Sequence, residues 1–346
     1  MNVDLLAELT EARGVSGSED RIREIVKREL EGICEISADR MGNLICLKRG
    51  AGKRKLMIAA HMDEIGFVVK FIDKDGFLRL QTIGGWDPRQ MNSQRVIVST
   101  KDEDLQGVLM YATKPAHLLS EAETREGQKH DNFFVDLGLP ADTVKEKVRL
   151  GDQVTMDRNL VKLGNLLTCK TMDDRVGVFV MIEALRAAQS NDVDVYAVAC
   201  VQEEIGLRGA TAAGSAIAPD IVVALDITLA NDIPGTPEQD YITKLGEGAA
   251  IKVMDSSLIC HPKVVQHFVD LAEMNGIKYQ MEILPRGGTD AGGVQRLHGG
   301  IPAFTLSIPT RYVHTVNETV SGDDVQACID LLARYIEDAH HGNYGY

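Results

Sequence analysis

The chain has 346 residues, which exceeds the size at which one hydrophobic core usually stops growing, so its length predicts more than one domain. Apolar residues make up 44% of the chain and charged residues 25%, proportions that exclude a wholly disordered protein. The net charge of -14 repels phosphate backbones and anionic lipids, which argues against nucleic acid or a membrane surface as a partner.

Three features of the chain predict a cytoplasmic protein. The first residues, Met1 to Arg13, carry acidic side chains and lack the basic start and apolar core of a signal peptide. No apolar run approaches the ~20 residues of a membrane-spanning helix. The 6 cysteines are scattered, mostly inside apolar runs and never as CxxC, which is typical of reduced core residues.

The N-terminal region is predicted to fold as two helices followed by strands. Apolar spacing predicts a helix from Val3 to Ala12, and Ser16 with Glu19 three residues later matches the capping box of a second helix. One of the following strands, Leu56 to Ala60, is apolar on both faces and runs directly into His61. Such a strand is usually central in a sheet that is covered on both sides.

Residues 66–163 have a different pattern, in which strands separated by tight turns dominate and few helices intervene. We therefore predict a small β-rich domain inserted into a main domain that is formed by residues 1–65 and 164–346. Within the insertion, Thr113 to His130 is polar and lacks periodicity. It is predicted to be a long loop, and long loops in compact domains are often functional or mobile.

Strands and helices alternate again after Asn165. The pattern predicts a long helix from about Asp174 to Gln189, a strand from Val193 to Val201, a strand from Ile221 to Leu225 and a last helix from Asp323 to Ala339. This alternation predicts an α/β fold with a mostly parallel central sheet covered by helices.

Polar side chains follow several predicted strands at the points where the strands end, and further carboxylates precede a helix. Ligands of open α/β sheets bind beyond the carboxyl ends of the strands, so these side chains should meet at one edge. They are His61, Asp63 and Glu64; Glu203 and Glu204; Asp226; His314; and, before the helix, Asp173 and Asp174. Imidazoles and carboxylates without a thiolate suit zinc, cobalt or manganese, and the set is large enough for two ions ~3.5–4 Å apart.

Each cluster also has an explanation that needs no metal. His61 is a candidate core histidine, and Asp173 is a candidate helix cap. Glu203 and Glu204 could be solvated carboxylates, and His314 could lie on the surface. Taken together, these explanations are less convincing than a metal site, because a single sheet would bring all the clusters to one edge.

Six short motifs resemble those of the M42 family of metallo-aminopeptidases, in the same order and at similar spacing across nearly the whole chain. The resemblance implies a zinc-peptidase-like fold and peptide substrates with a free N-terminus. The motifs are Ala60-His61-Met62-Asp63-Glu64-Ile65-Gly66, Lys170-Thr171-Met172-Asp173-Asp174-Arg175, Gln202-Glu203-Glu204-Ile205-Gly206, Leu225-Asp226, Gly287-Gly288-Thr289-Asp290-Ala291 and Arg311-Tyr312-Val313-His314.

The resemblance implies two divalent metal ions per subunit. One ion would be held by His61, Asp173 and Asp226, and the other by Asp173, Glu204 and His314, so that Asp173 bridges them. Zinc and cobalt are the first candidates, and manganese is the third.

The same resemblance implies the catalytic roles. A water shared by two cations has a strongly lowered pKa, and Glu203 would act as the general base that takes its proton and later delivers it to the leaving amine. Asp63 would orient His61 from the far ring nitrogen.

Other functions remain open from the residues alone. One is a related binuclear hydrolase, either an N-acyl amino acid deacylase or a carboxypeptidase. A noncatalytic, metal-dependent assembly protein is another, although Glu203 beside a ligand argues against it because a structural site needs no base. The preferred first residue of the substrate cannot be read from the sequence, with a weak inclination to apolar residues.

The resemblance also implies homo-oligomers. The inserted domain would mediate dimers, and the dimers would build a twelve-subunit cage. The segment from Thr113 to His130 would then reach into a neighbouring subunit or gate the cavity.

Overall fold

Two amphipathic helices and three strands open the chain. Their bounds are α1 Val3–Glu11, α2 Asp20–Leu30, β1 Glu35–Ala38, β2 Leu44–Lys48 and β3 Lys55–His61. The side chain of Asn2 caps α1 by accepting the N–H of Leu5. The predicted capping box of α2 is wrong, because the helix starts only after Glu19, which makes no side-chain cap hydrogen bond.

Residues Glu64–Arg158 form a compact unit of their own. Its elements are β4 Gly66–Ile72, β5 Leu78–Ile83, α3 Pro88–Met91, β6 Gln94–Ser99, β7 Asp104–Tyr111, α4 Glu121–Arg125, β8 Phe133–Asp136, α5 Ala141–Lys147 and β9 Gln153–Met156. The six strands close into a barrel in the order β4-β5-β8-β7-β6-β9, and every pairing is antiparallel. Between β7 and β8, the segment predicted as a loop contains only α4 and two short 3-10 turns.

The rest of the chain joins the first three strands. Its elements are β10 Val161–Leu163, β11 Leu166–Cys169, α6 Met172–Ala187, β12 Asp194–Cys200, α7 Arg208–Ile217, β13 Ile221–Leu229, β14 Ala249–Met254, α8 Pro262–Asn275, β15 Tyr279–Ile283, α9 Asp290–Val294, β16 Ala303–Arg311, β17 Glu318–Ser321 and α10 Gly322–Asp338. The structure, a computed structural model, describes residues 1–345, and Met1–Asp63 with residues 159–345 make up the second compact unit.

The second unit is built on a mixed sheet of 11 strands. Its centre is parallel, in the order β12-β3-β13-β16, as the α/β alternation predicts. The strand β14 pairs antiparallel with β16, and β15 lies parallel to β14. On the flanks, β1 and β2 beside β12 and β17, β11 and β10 beyond β16 pair antiparallel. These flanking strands are short, and β10, β11 and β17 were not predicted, because three or four residues carry too little periodicity.

The core of this unit lies around α6, which is buried along almost its whole length, including the polar residues Asp173, Asp174 and Arg175 of its first turn. The helix contacts α1 and α10 as well as the central strands β3 and β13. Its apolar run from Val176 to Ile182 is fully buried, which explains why its hydrophobicity is not confined to one face. The packing fixes the start of α6 against the ends of the central strands.

All six cysteines are free thiols, five of them buried, as predicted for reduced core residues. Among residues 1–345, none of the helices combines the length and the apolarity that spanning a lipid bilayer requires.

Candidate metal centre

The predicted ligands lie at the carboxyl ends of the central parallel strands and at the start of α6. His61 is the last residue of β3, and the pairing of β3 with β12 places it beside Cys200, so Glu203 and Glu204 follow close by. His314 follows the end of β16. Asp226 lies inside β13, which runs on to Leu229 and is longer than the apolar run predicts.

The carboxylate of Asp173 lies between two imidazoles. Its Oδ1 is 3.1 Å from Nε2 of His61, and its Oδ2 is 3.4 Å from Nε2 of His314. The same His314 nitrogen is 3.5 Å from Oε1 of Glu204. Ligand atoms of His61, Asp173 and Glu204 all lie within 4.8 Å of one another, a spacing that could hold a metal ion.

Glu203 and Asp226 complete this group. Oε2 of Glu203 is 3.9 Å from Nε2 of His61. Both carboxylates line a cavity of about 420 Å³, whose wall also includes Asp173, Glu204 and His314. The structure therefore brings the five predicted metal ligands and the predicted base to one place, because the buried His61 contacts Asp173 and the other five side chains line the cavity.

The pKa values of the two histidines reflect the surrounding negative charge. Burial opposes protonation of His61, but Asp173 and Asp63 outweigh it and raise the pKa of its imidazole well above the ordinary value. In the same way, Asp173 and Glu204 overcome burial and raise the pKa of His314 to about 12.

The pKa values of the carboxylates shift in opposite directions. The pKa of Asp173 is lowered, because hydrogen bonds from both histidines outweigh its burial. Burial is the largest cause that raises the pKa values of Glu203, Glu204 and Asp226, and neighbouring carboxylates raise them further. The pKa values of Glu203 and Asp226 lie well above the ordinary range. A bound cation would relieve this repulsion.

Asp63 contacts the predicted base and two predicted ligands. Its Oδ1 accepts the backbone N–H of Glu203 at 3.0 Å, and its Oδ2 accepts that of Glu204 at 3.2 Å. Nδ1 of His61 lies 3.0 Å from the Asp63 carbonyl oxygen and 3.5 Å from the Asp63 carboxylate. Burial opposes ionisation of Asp63, yet the contacts with His61, Ser16 and Glu203 lower its pKa. The carboxylate therefore holds the two glutamates more closely than it holds His61.

Two further buried carboxylates support the site: Glu318, which was not singled out in the sequence, and Asp174, which was among the candidate side chains. Glu318, at the start of β17, accepts the backbone N–H of Asp173 at 2.9 Å and that of His314 at 2.7 Å. Asp174 accepts the backbone N–H of His61 at 3.3 Å and caps α6 by accepting that of Gly177 at 3.1 Å. The only sequence signal for Glu318 was its position four residues after His314, in a strand too short to predict.

The donor set fits divalent metal ions. Two imidazole nitrogens and several carboxylate oxygens are the ligand types of zinc, cobalt and manganese sites in proteins. In addition, Oε1 of Glu204 is buried and has no hydrogen-bond partner of normal geometry among the described residues. A buried carboxylate oxygen in that state indicates a partner of another kind, such as a metal ion.

Comparisons with known proteins agree with the geometry. Residues 42–331 match the family model described as M42 glutamyl aminopeptidase. The lysyl aminopeptidase of Pyrococcus furiosus is 35% identical, over 97% of this chain and 96% of its own.

Solved structures also resemble nearly the whole chain. An aminopeptidase from the archaeon Desulfurococcus kamchatkensis is 38% identical with a TM-score of 0.92, over 97% of this chain and 94% of its own. The TET1 peptidase of Pyrococcus horikoshii is 30% identical with a TM-score of 0.88, over 97% and 99%. The chain therefore belongs to the M42 peptidase family and is an aminopeptidase.

Proposed function

We propose that the chain is a two-metal aminopeptidase that removes the N-terminal residue of peptides, with Glu203 as its general base. The observation that carries this proposal is the position of Asp173, whose two carboxylate oxygens lie 3.1 Å and 3.4 Å from the imidazoles of His61 and His314. A carboxylate with a histidine on each side suits a bridging ligand between two cations.

The ligand sets are those that the resemblance to the M42 family implies, and the contacts of Asp173 and Glu204 support them. His61, Asp173 and Asp226 would hold one ion, and Asp173, Glu204 and His314 would hold the other. The fold would then be of the zinc-peptidase type, with zinc or cobalt as the first candidates and manganese as the third. When bound, the ions would lower the pKa of a water molecule and polarise the scissile carbonyl.

Glu203 supplies proton transfer. Its carboxylate lines the cavity, and burial raises its pKa well above the usual range of a glutamate. A carboxylate at this position can accept a proton and release it again within one turnover. Glu203 would therefore take a proton from the attacking water and donate it to the leaving amine.

The cavity wall explains how a peptide would be held. One part of the wall is the carboxylate cluster that would hold the ions, and the free α-amine of the substrate would bind beside it. Another part is apolar and could accept the first side chain, namely Leu207, Ile227, Leu229, Leu284 and Val313. This division would confine cleavage to the first residue and is consistent with the inclination to apolar residues.

The proposal also covers the oligomeric state and the cellular location of the protein. The Pyrococcus horikoshii TET1 peptidase can assemble into a tetrahedron or a large octahedral shell. By analogy we propose that this chain forms homo-oligomers in the cytoplasm, with the barrel unit mediating dimers that build a dodecamer.

The proposal is tested by hydrolysis of aminoacyl-p-nitroanilides, each compared with its N-acetylated twin, before and after treatment with a chelator. Hydrolysis of the free-amine substrates alone, lost with the chelator, supports a metallo-aminopeptidase. Hydrolysis of the acetylated twins would instead support the deacylase alternative. Measurable metal binding without hydrolysis of any substrate would favour the noncatalytic alternative.

A further inference from the structure

Ser16 and Glu19 match a helix-capping pattern, but their side chains form hydrogen bonds with residues outside α2. The hydroxyl of Ser16 donates a hydrogen bond to Oδ2 of Asp63 at 2.5 Å. The buried Oε1 of Glu19 accepts the backbone N–H of Gln202 at 3.1 Å and that of Gly17 at 2.7 Å. Both side chains therefore point to the turn that carries the two glutamates of the site, although they lie far from it in sequence.

Together, Glu19 and Asp63 receive the backbone N–H groups of three consecutive residues. Glu19 accepts that of Gln202, and Asp63 accepts those of Glu203 and Glu204. Each of these two carboxylates is in turn held by the segment before α2. Oδ2 of Asp63 accepts the Ser16 hydroxyl, and Oε1 of Glu19 accepts the N–H of Gly17.

The turn at Gln202 needs such support. Its φ of 58° lies in the left-handed region, which is disfavoured for a residue with a side chain. The carbonyl oxygens of Gln202 and Glu203 accept N–H groups from Arg208 and Leu207, whereas the N–H groups of Gln202, Glu203 and Glu204 donate to Glu19 and Asp63. Two buried acceptors therefore hold the backbone from which the Glu203 side chain extends.

We infer that Ser16 and Glu19 are positioning residues for the base of the reaction. They orient the turn from Gln202 to Glu204 through the Asp63 carboxylate and through the Gln202 backbone. The inference rests on the proposed role of Glu203 and adds residues outside the six recognised motifs. A helix-capping role does not account for these side chains, because Glu19 bonds no N–H inside α2 and Ser16 lies four residues before it.

The central experiment compares Ser16→Ala with Ser16→Thr, which keeps the hydroxyl. The control is Ser18→Ala, a half-buried serine of the same segment for which the structure shows no side-chain hydrogen bond. We expect Ser16→Ala to lower kcat between ~10- and ~100-fold, because a small misplacement of a catalytic group has effects of this size. KM and metal content should stay near those of the wild type, and Ser16→Thr should restore most of kcat.

A second pair of variants addresses Glu19. Glu19→Ala removes the acceptor of the Gln202 N–H and should lower kcat as Ser16→Ala does. Glu19→Gln keeps a carbonyl oxygen at that place and should retain most of the rate. If Ser16→Ala does not fold, Ser16→Cys replaces it, because a thiol is a weaker donor of similar size. An intermediate kcat would then support the inference, and a wild-type kcat would overturn it.

Backbone hydrogen exchange provides a measurement that does not depend on activity. In Ser16→Ala, the amides from Gln202 to Glu204 should exchange faster than in the wild type, whereas those of α7 should not change. Unchanged exchange together with unchanged kcat would overturn the inference while leaving the proposed function intact. If the wild type hydrolyses no substrate, the proposed function fails, and the exchange rates still decide whether Ser16 holds the turn.

Discussion

The buried carboxylate of Glu318 accepts the backbone N–H of Asp173 at 2.9 Å. Its other oxygen accepts the N–H of His314, so one side chain sets the spacing between two predicted ligands that are far apart in sequence. This contact couples β17 to the start of α6.

Removing that carboxylate should loosen the site. Glu318→Ala leaves two backbone donors without their acceptor, and each buried unsatisfied group costs about 1–3 kcal/mol. We expect a lower urea midpoint and weaker metal binding, measured by denaturation and by metal titration. The control is Glu31→Ala, which changes an exposed glutamate. Equal midpoints and equal metal affinity in the two variants would contradict a supporting role for Glu318.

Removing a ligand should remove metal and activity together. Asp173→Ala deletes the carboxylate between the two imidazoles and should lower both bound metal and turnover, and His314→Ala should do the same. Elemental analysis after dialysis measures the metal. His341→Ala changes an exposed histidine near the end of the chain, outside the predicted site, and should have no effect. Full metal content in Asp173→Ala would show that the ligand set is different.

Metal affinity should rise with pH. The pKa of His314 is raised to about 12 and that of His61 well above its ordinary value, so both imidazoles bind protons at neutral pH in the metal-free protein. A ligand nitrogen must be neutral, so each displaced proton changes the apparent affinity about ten-fold per pH unit. Calorimetry in two buffers of different ionisation enthalpy would detect the released protons. Affinity that does not change between pH 6 and 8 would contradict this account.

Arg286 should influence which first residue is accepted. Among the described residues it is the sole Arg or Lys that lines the cavity, and it is exposed. A solvent-screened charge pair is worth at most about 1 kcal/mol, so Arg286→Gln should lower kcat/KM for glutamyl substrates about five-fold relative to leucyl ones. Arg286→Lys, which keeps the charge, should change the ratio less. An unchanged ratio of the glutamyl to the leucyl kcat/KM in Arg286→Gln would show that Arg286 does not contact the acidic side chain of the substrate.

The parallel centre of the sheet and its ligands could be predicted from the sequence because long apolar strands carry a strong pattern. The strand from Lys55 to His61 is buried from Leu56 onward, so the position of His61 at its end followed directly. Because β12, β3, β13 and β16 are neighbours in the sheet, Glu203, Glu204 and His314 lie at the same edge as His61.

The supporting residues could not be predicted, because their roles depend on contacts that are distant in sequence. Ser16 and Glu19 match a capping box, yet their side chains form tertiary hydrogen bonds with Asp63 and Gln202 instead of capping the helix. Glu318 lies in a four-residue strand that has no readable period. Local pattern thus located the ligands and Asp63, but not Ser16, Glu19 or Glu318, which also hold the site in place.

The most direct test of the two-metal mechanism is to measure metal content and turnover in Glu203→Gln. The amide keeps the size of the side chain but cannot take a proton, and general-base catalysis contributes roughly 10²–10⁴-fold. We predict the metal content of the wild type, near-normal KM and a loss of kcat in that range. Wild-type kcat in Glu203→Gln would contradict the assignment of Glu203 as the base, and with it the proposed mechanism.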